Sequence, residues 1–236
     1  MSPPSWDEFA WAAFLYGSLG GDAKYQTLMQ NPQVLPLLRT NPMAVSDKMV
    51  QDHVLKGFLN AWKTRIKNSP QSAQAIKTGI HNMLPDLTAL APLTIGTIQF
   101  TPQEVSHIEN CYSLLRGAGH IIGPTATAKM LHILRPALFV MWDGPILKDF
   151  RFRHGITDSP QGYVAYLQMM NGVANAIRQA FSGAKLTPPA LPGQTAEDYL
   201  SAHLRYTPPK TMAKFLDEYY WATITNGVSV PPRWHP

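Results

Sequence analysis

The chain has 236 residues, enough for one large domain or two small ones, and an apolar content of 45% that suffices for a substantial core. Charged residues make up 15%, too few for a disordered chain, and the net charge of +5 admits a polyanionic partner without requiring one. Cys111 is the only cysteine, which excludes an intrachain disulfide, an iron–sulfur cluster and a cysteine-rich zinc site within the chain.

From the N-terminus, Met1 to Glu8 carries acids and no basic stretch, so it does not read as a secretory signal. No apolar run approaches the roughly 18 residues that span a bilayer. Together with the lone thiol this points to a reducing, intracellular compartment and to no membrane partner. Ser5-Trp6-Asp7-Glu8 is a capping box that opens a helix expected to reach Tyr16 and stop at Gly17. A short polar helix is expected over 22–30. The strongest periodicity covers 47–67, capped by Ser46. Its apolar stripe is Val54, Leu55, Phe58, Leu59, Trp62 and Ile66, and Lys56, Asn60, Lys63 and Lys67 lie opposite. That basic stripe reads either as a solvated face or as a polyanion contact.

Residues 71–84 read as helix. The stretch 85–100 is broken by proline, with 93–100 expected to be extended. Thr101 and Glu104 form a second capping box, opening a helix to Arg116 that carries Cys111 as a buried, inert thiol. Further helices are expected over 124–134 and 144–153. A long one starts at Ser159-Pro160, where proline loses no needed hydrogen bond, and others cover 196–205 and 209–225. The Pro- and Gly-rich stretch 182–194 is a loop. Residues 1–225 form a single all-α domain of nine or ten helices, followed by a Pro-rich tail over 226–236.

Chemistry concentrates between Gly117 and Asp143. A glycine directly before a helix, as at Gly123, lets backbone amides approach a phosphate at the positive end of the helix dipole. The same glycine also serves as a plain turn. Asp143, followed by Gly144 and Pro145, is a favoured N-cap, and it is equally a carboxylate that a cleft could use. Trp142, His120, Trp62 and Arg65 are the candidate lining of such a cleft. For both tryptophans, core packing is the competing role. Neither His120 nor His132 has a partner at metal-ligand spacing, so no metal site is expected, and nothing in the sequence calls for a cofactor.

The order helix, glycine turn, helix, apolar run, aspartate resembles the helix-hairpin-helix DNA glycosylase superfamily, which includes endonuclease III and MutY-type adenine glycosylases. The resemblance covers residues 104–153. Gly123 matches the second glycine of the family motif, Thr125 the position that carries lysine in bifunctional members, and Asp143 the acid. Phe139-Val140-Met141-Trp142-Asp143-Gly144 is similar to the MutY-type Phe-x-x-x-Asp-Gly segment. Ile121 stands in place of the first glycine. With Thr125 in place of the lysine, the resemblance implies a monofunctional enzyme, and Lys129 lies one helical turn further along.

The resemblance implies a DNA partner and a hydrolase of base–sugar bonds acting in DNA repair, with Asp143 catalytic. Gly123, Thr125, Lys129, Lys148, Arg151 and Arg153 would contact DNA. Two other readings stay open. One is a non-catalytic nucleic-acid or protein-binding module on the same fold. The other is an all-α small-molecule enzyme with its pocket near Asp143.

Overall fold

In the computed structural model, which describes residues 3–20 and 22–229, every regular element is helical. Helix α1 (Trp6–Ser18) starts at the expected capping box, with the Ser5 hydroxyl accepting from the Glu8 amide and the Glu8 carboxylate accepting from the Ser5 amide. It runs through Gly17 to Ser18. Helix α2 (Ala23–Met29) follows, then α3 (Leu35–Thr40), which has no counterpart in the sequence reading. Asn31 initiates it by accepting from the Gln33 and Val34 amides, and it buries only Leu35 and Leu38. Six residues are too few to display a helical period.

The next helix, α4 (47–62), departs most from expectation. After one α-turn, Asp47–Met49, it widens into a π-helix over Val50–Leu59 and tightens into a 3-10 turn over Asn60–Trp62. It ends five residues short of Lys67. The Asn60 side chain is the cause: its Oδ1 accepts from the Ile66 amide at 2.9 Å and its Nδ2 donates to the Ile66 carbonyl at 2.7 Å. This closes a loop in place of another helical turn. Lys63 and Arg65 within it are left-handed, at φ 61° and 59°.

Helices α5 (Pro70–Asn82) and α6 (Leu84–Ala89) come next. The stretch 93–100 is not extended. A turn over 95–97 interrupts it, closed by Thr94 and Thr97 bonding to each other and pinned by the Ile95 amide donating to the Ala137 carbonyl at 2.9 Å. Helix α7 (Pro102–Gly117) opens at the second capping box and carries the buried Cys111, whose thiol pKa burial pushes up. Helices α8 (Pro124–Leu134), α9 (Gly144–His154), α10 (Pro160–Ser182), α11 (Ala196–His203) and α12 (Met212–Tyr220) complete the set. Helix α12 continues as a π-turn over Trp221–Thr225. Residues 230–236, most of the expected tail, lie outside the described residues.

Buried side chains from α1 to α12 join one continuous core. Its aromatic centre is Trp142, fully buried, with the rings of Tyr163 and Tyr166 at 4.9 and 5.0 Å. Phe150 continues the chain of rings to Tyr220 at 5.2 Å. The non-helical run 138–142 passes through this centre. Its backbone is satisfied by the Tyr163 hydroxyl donating to Val140 and the Tyr166 hydroxyl donating to Met141. That anchoring fixes where the run delivers Asp143. Helix α10 meets the run along its buried face, so the core sets the position of the site from below.

Candidate functional site

A cavity of about 660 Å³ opens where the N-termini of α8 and α9 meet the ends of α4 and α12. Its walls include Tyr16, Trp62, Thr64, Gly123, Thr125, Lys129, Asp143, Asp217, Trp221 and Thr225. The volume is in the range of small-ligand sites.

Gly123 is the N-cap of α8, at φ −75° and ψ 170°. A Cβ there would meet open space, so the fold does not demand glycine at this position. Pro124 at the first helical position has no amide. The Thr127 amide returns to the Gly123 carbonyl at 2.9 Å. The amides of Thr125 and Ala126 therefore lack intrahelical acceptors, and both residues line the cavity. The positive end of the α8 dipole faces the same space.

Asp143 caps α9. Its Oδ1 accepts from the Ile146 amide at 2.9 Å, and its Oδ2 accepts from the Thr225 hydroxyl at 2.7 Å. The second bond depends on the π-turn. Widening the chain after Tyr220 changes the phase of the side chains and turns both Trp221 and Thr225 toward the cavity. The wide turns of α4 do the same for Trp62 on the opposite wall. Irregular helix thus supplies two walls of the site.

Lys129 lies deep in the third wall, 5% exposed. Its ammonium donates to the Trp62 carbonyl at 3.1 Å and sits 5.0 Å from the Trp62 ring centroid. Burial lowers its pKa to about 8, against the opposing pull of Asp217 and Asp143. The cavity therefore holds two carboxylates, one weakly basic buried amine and the exposed Lys63 between aromatic walls.

Behind Asp217 the charges are sealed. Lys214 contacts Asp217 at 3.0 Å and Glu218 at 3.1 Å, with its Nζ 4.2 Å from the Tyr16 ring centroid. Lys210 contacts Glu218 at 2.7 Å and Asp22 at 2.8 Å. Burial raises the pKa of Asp217, which borders both the cavity and this cluster. His132, also sealed, is neutral: burial lowers its pKa to about 3. Its Nδ1 donates to the Phe139 carbonyl, and its Nε2 accepts from the Tyr25 hydroxyl.

Of the candidate site residues named from the sequence, Gly123, Thr125, Lys129, Asp143 and Trp62 line this one cavity, and so does Lys63 of the basic stripe. Lys129 belongs to the cavity wall and not to an outer phosphate-contacting surface, because α8 is buried along most of its length. Trp142 does not line the cavity: its Nε1–H donates to the Pro124 carbonyl at 3.1 Å and its ring fills the aromatic centre. Arg65 is exposed and outside it, since the Asn60-closed loop ends the helix that was to carry it there. The His120 side chain lies outside the described residues. Lys148, Arg151 and Arg153 are exposed on α9, with Arg153 paired to Asp149 at 2.8 Å. Thr225, Trp221, Asp217 and Tyr16 were missed. They come from the two ends of the chain, and no local motif signals them.

Among the described residues, no group of three or more His, Cys, Asp or Glu side chains is arranged to hold a metal ion, and no helix is long and apolar enough to cross a membrane. Comparison with protein-family models, with curated proteins and with solved structures returns no match.

Proposed function

We propose that the protein binds nucleic acid across the mouth of this cavity, takes one base out of the stack into it, and hydrolyses the base–sugar bond with help from Asp143. The observation that carries this reading is that the α8 N-terminus at Gly123 and the Asp143 carboxylate open onto one cavity. A phosphate fits unpaired amides and a helix dipole. A flipped base fits a slot with Trp62 and Trp221 as apolar walls.

In this reading the C1′–N bond breaks with its electron pair leaving on the base, and positive charge develops on the sugar. Asp143 faces that charge as a fixed carboxylate, held by the Ile146 amide and the Thr225 hydroxyl. The Lys129 ammonium, with its pKa of about 8, donates a proton to the departing base. Water then attacks C1′ and loses a proton to Asp143.

The lowered pKa of Lys129 also favours a second reading, in which its neutral amine attacks C1′ and displaces the base. Incubation with duplexes carrying damaged or mismatched bases tests both. Base release by the parent that leaves no borohydride-trapped protein–DNA adduct, and that Lys129→Met slows by about 10²-fold or more through loss of the proton donor, supports hydrolysis. An adduct formed by the parent protein and lost in Lys129→Met supports amine attack. Binding with no base release by the parent protein favours a binding module.

A further inference from the structure

Helix α9 carries an outward stripe that the pocket chemistry does not use. Gly144 and Pro145, at its start, line the cavity. Lys148, Arg151 and Phe152 follow on the same exposed face, at the three- and four-residue spacings that stack side chains along a helix. Phe152 is 90% exposed, the highest value among the large apolar side chains of the described residues. A lone exposed leucine is ordinary, but a fully presented aromatic ring beside cations is a specific chemistry. The helix's one acid, Asp149, is turned away to pair with Arg153. The stripe is therefore basic and aromatic, and it begins at the rim of the cavity.

We infer that Phe152 is a stacking platform for an unpaired nucleotide a few steps along the strand from the base that enters the cavity, with Lys148 and Arg151 on the phosphates between. This inference rests on the proposed nucleic-acid reading and narrows it to a single-stranded or locally opened segment. A ring standing out from a helix reaches the face of a base when that base is unpaired or when its step is locally unstacked. Every base has such a face, so the contact is tolerant of sequence. Seven residues of helix separate Pro145 from Phe152, about 10 Å, which a strand at duplex spacing covers in about three nucleotide steps. A protein partner is the less suited occupant, because one isolated ring flanked by cations offers no contiguous apolar patch.

The test compares three ligands by fluorescence anisotropy: a mixed-sequence single strand, an abasic strand of the same length, and a duplex. Phe152→Ala is expected to weaken binding of the base-bearing strand about tenfold or more and to leave the abasic strand unchanged. Phe152→Trp is expected to bind as the parent does. Lys148→Ala with Arg151→Ala is expected to weaken both single strands alike and to reduce the salt dependence. Equal affinity of Phe152→Ala and the parent for the base-bearing strand overturns the platform while leaving nucleic-acid binding intact. So does an equal loss on both strands. Binding of no strand and no duplex by the parent overturns the platform and the proposed function together. Self-association of the parent that Phe152→Ala abolishes assigns the ring to a second copy of the chain and overturns the platform.

Discussion

Two lysines, Lys129 and Lys214, stand on either side of Asp217, and the protein treats them in opposite ways. Both are buried, and burial disfavours the charge of both. Around Lys214, the carboxylates of Glu218, Asp217 and Asp22 outweigh that cost and hold the pKa well above the ordinary value. Around Lys129 the direct partners are a backbone carbonyl and a tryptophan face, and the pKa falls. The difference is not depth but pairing. A buried charge whose partners are all supplied by the fold ties elements together. A buried charge left short of partners beside a cavity is held ready for something that enters.

The comparison can be broken first at its sealed side. Lys214→Ala leaves Asp217 without its counter-charge and Glu218 with Lys210 alone, and a loss of about 3–5 kcal/mol in denaturant unfolding is expected. A loss under about 1 kcal/mol would mean that the cluster does not hold α12 in place.

The open side has its own signature in pH. The Lys129 pKa is about 8 in the folded protein, below the 10.5 of a free lysine. Between these values the unfolded chain binds the proton and the folded one does not, so stability attributable to Lys129 rises with pH through that window. The full rise is on the order of 3 kcal/mol. It is read as the difference between the parent and Lys129→Met, which cancels the titration of the buried tyrosines. A flat difference from pH 8 to 10.5 would contradict the assignment of Lys129 as the unpaired charge.

A smaller effect is expected at the Asp143–Thr225 bond, which ties the end of the chain to the site. Thr225→Val removes the donor and should cost about 1–2 kcal/mol, while Thr225→Ser should cost less than about half of that. The smallest stability change is expected for Gly123→Asp. The position already has cap dihedrals and open space for a side chain, and aspartate is a good cap, so unfolding should shift by less than about 0.5 kcal/mol. Affinity for nucleic acid should nonetheless be lost, because the new carboxylate occupies the anion position. Retained affinity would remove the phosphate role of α8.

Much of this architecture is legible in the sequence where the signal is local. The two capping boxes, the Ser159-Pro160 start of α10 and the 124–134 and 144–153 periodicities each specify an element within one or two residues. The failures share a cause. Asn60 ends α4 by bonding to Ile66, and the π-turns at Val50–Leu59 and Trp221–Thr225 arise from packing that no single segment encodes. The site divides the same way. Gly123 and Asp143 were readable because they lie on consecutive helices joined by one buried run. Tyr16, Asp217, Trp221 and Thr225 reach the cavity only through the docking of α1 and α12. Lys214, Asp217 and Glu218 have the spacing of an exposed, salt-bridged helix face, and only tertiary burial shows that this face points inward.

Asp143→Asn tests the central claim most directly. Asparagine caps a helix about as well as aspartate and can still accept from the Ile146 amide, so unfolding should change by less than about 1 kcal/mol. An amide offers no negative charge to a sugar cation, so base release from a damaged or mismatched duplex should fall by at least about 10²-fold. Unchanged folding with that loss is the predicted result. Equal rates of base release by the two proteins, or no release by the parent from any such duplex, would contradict it.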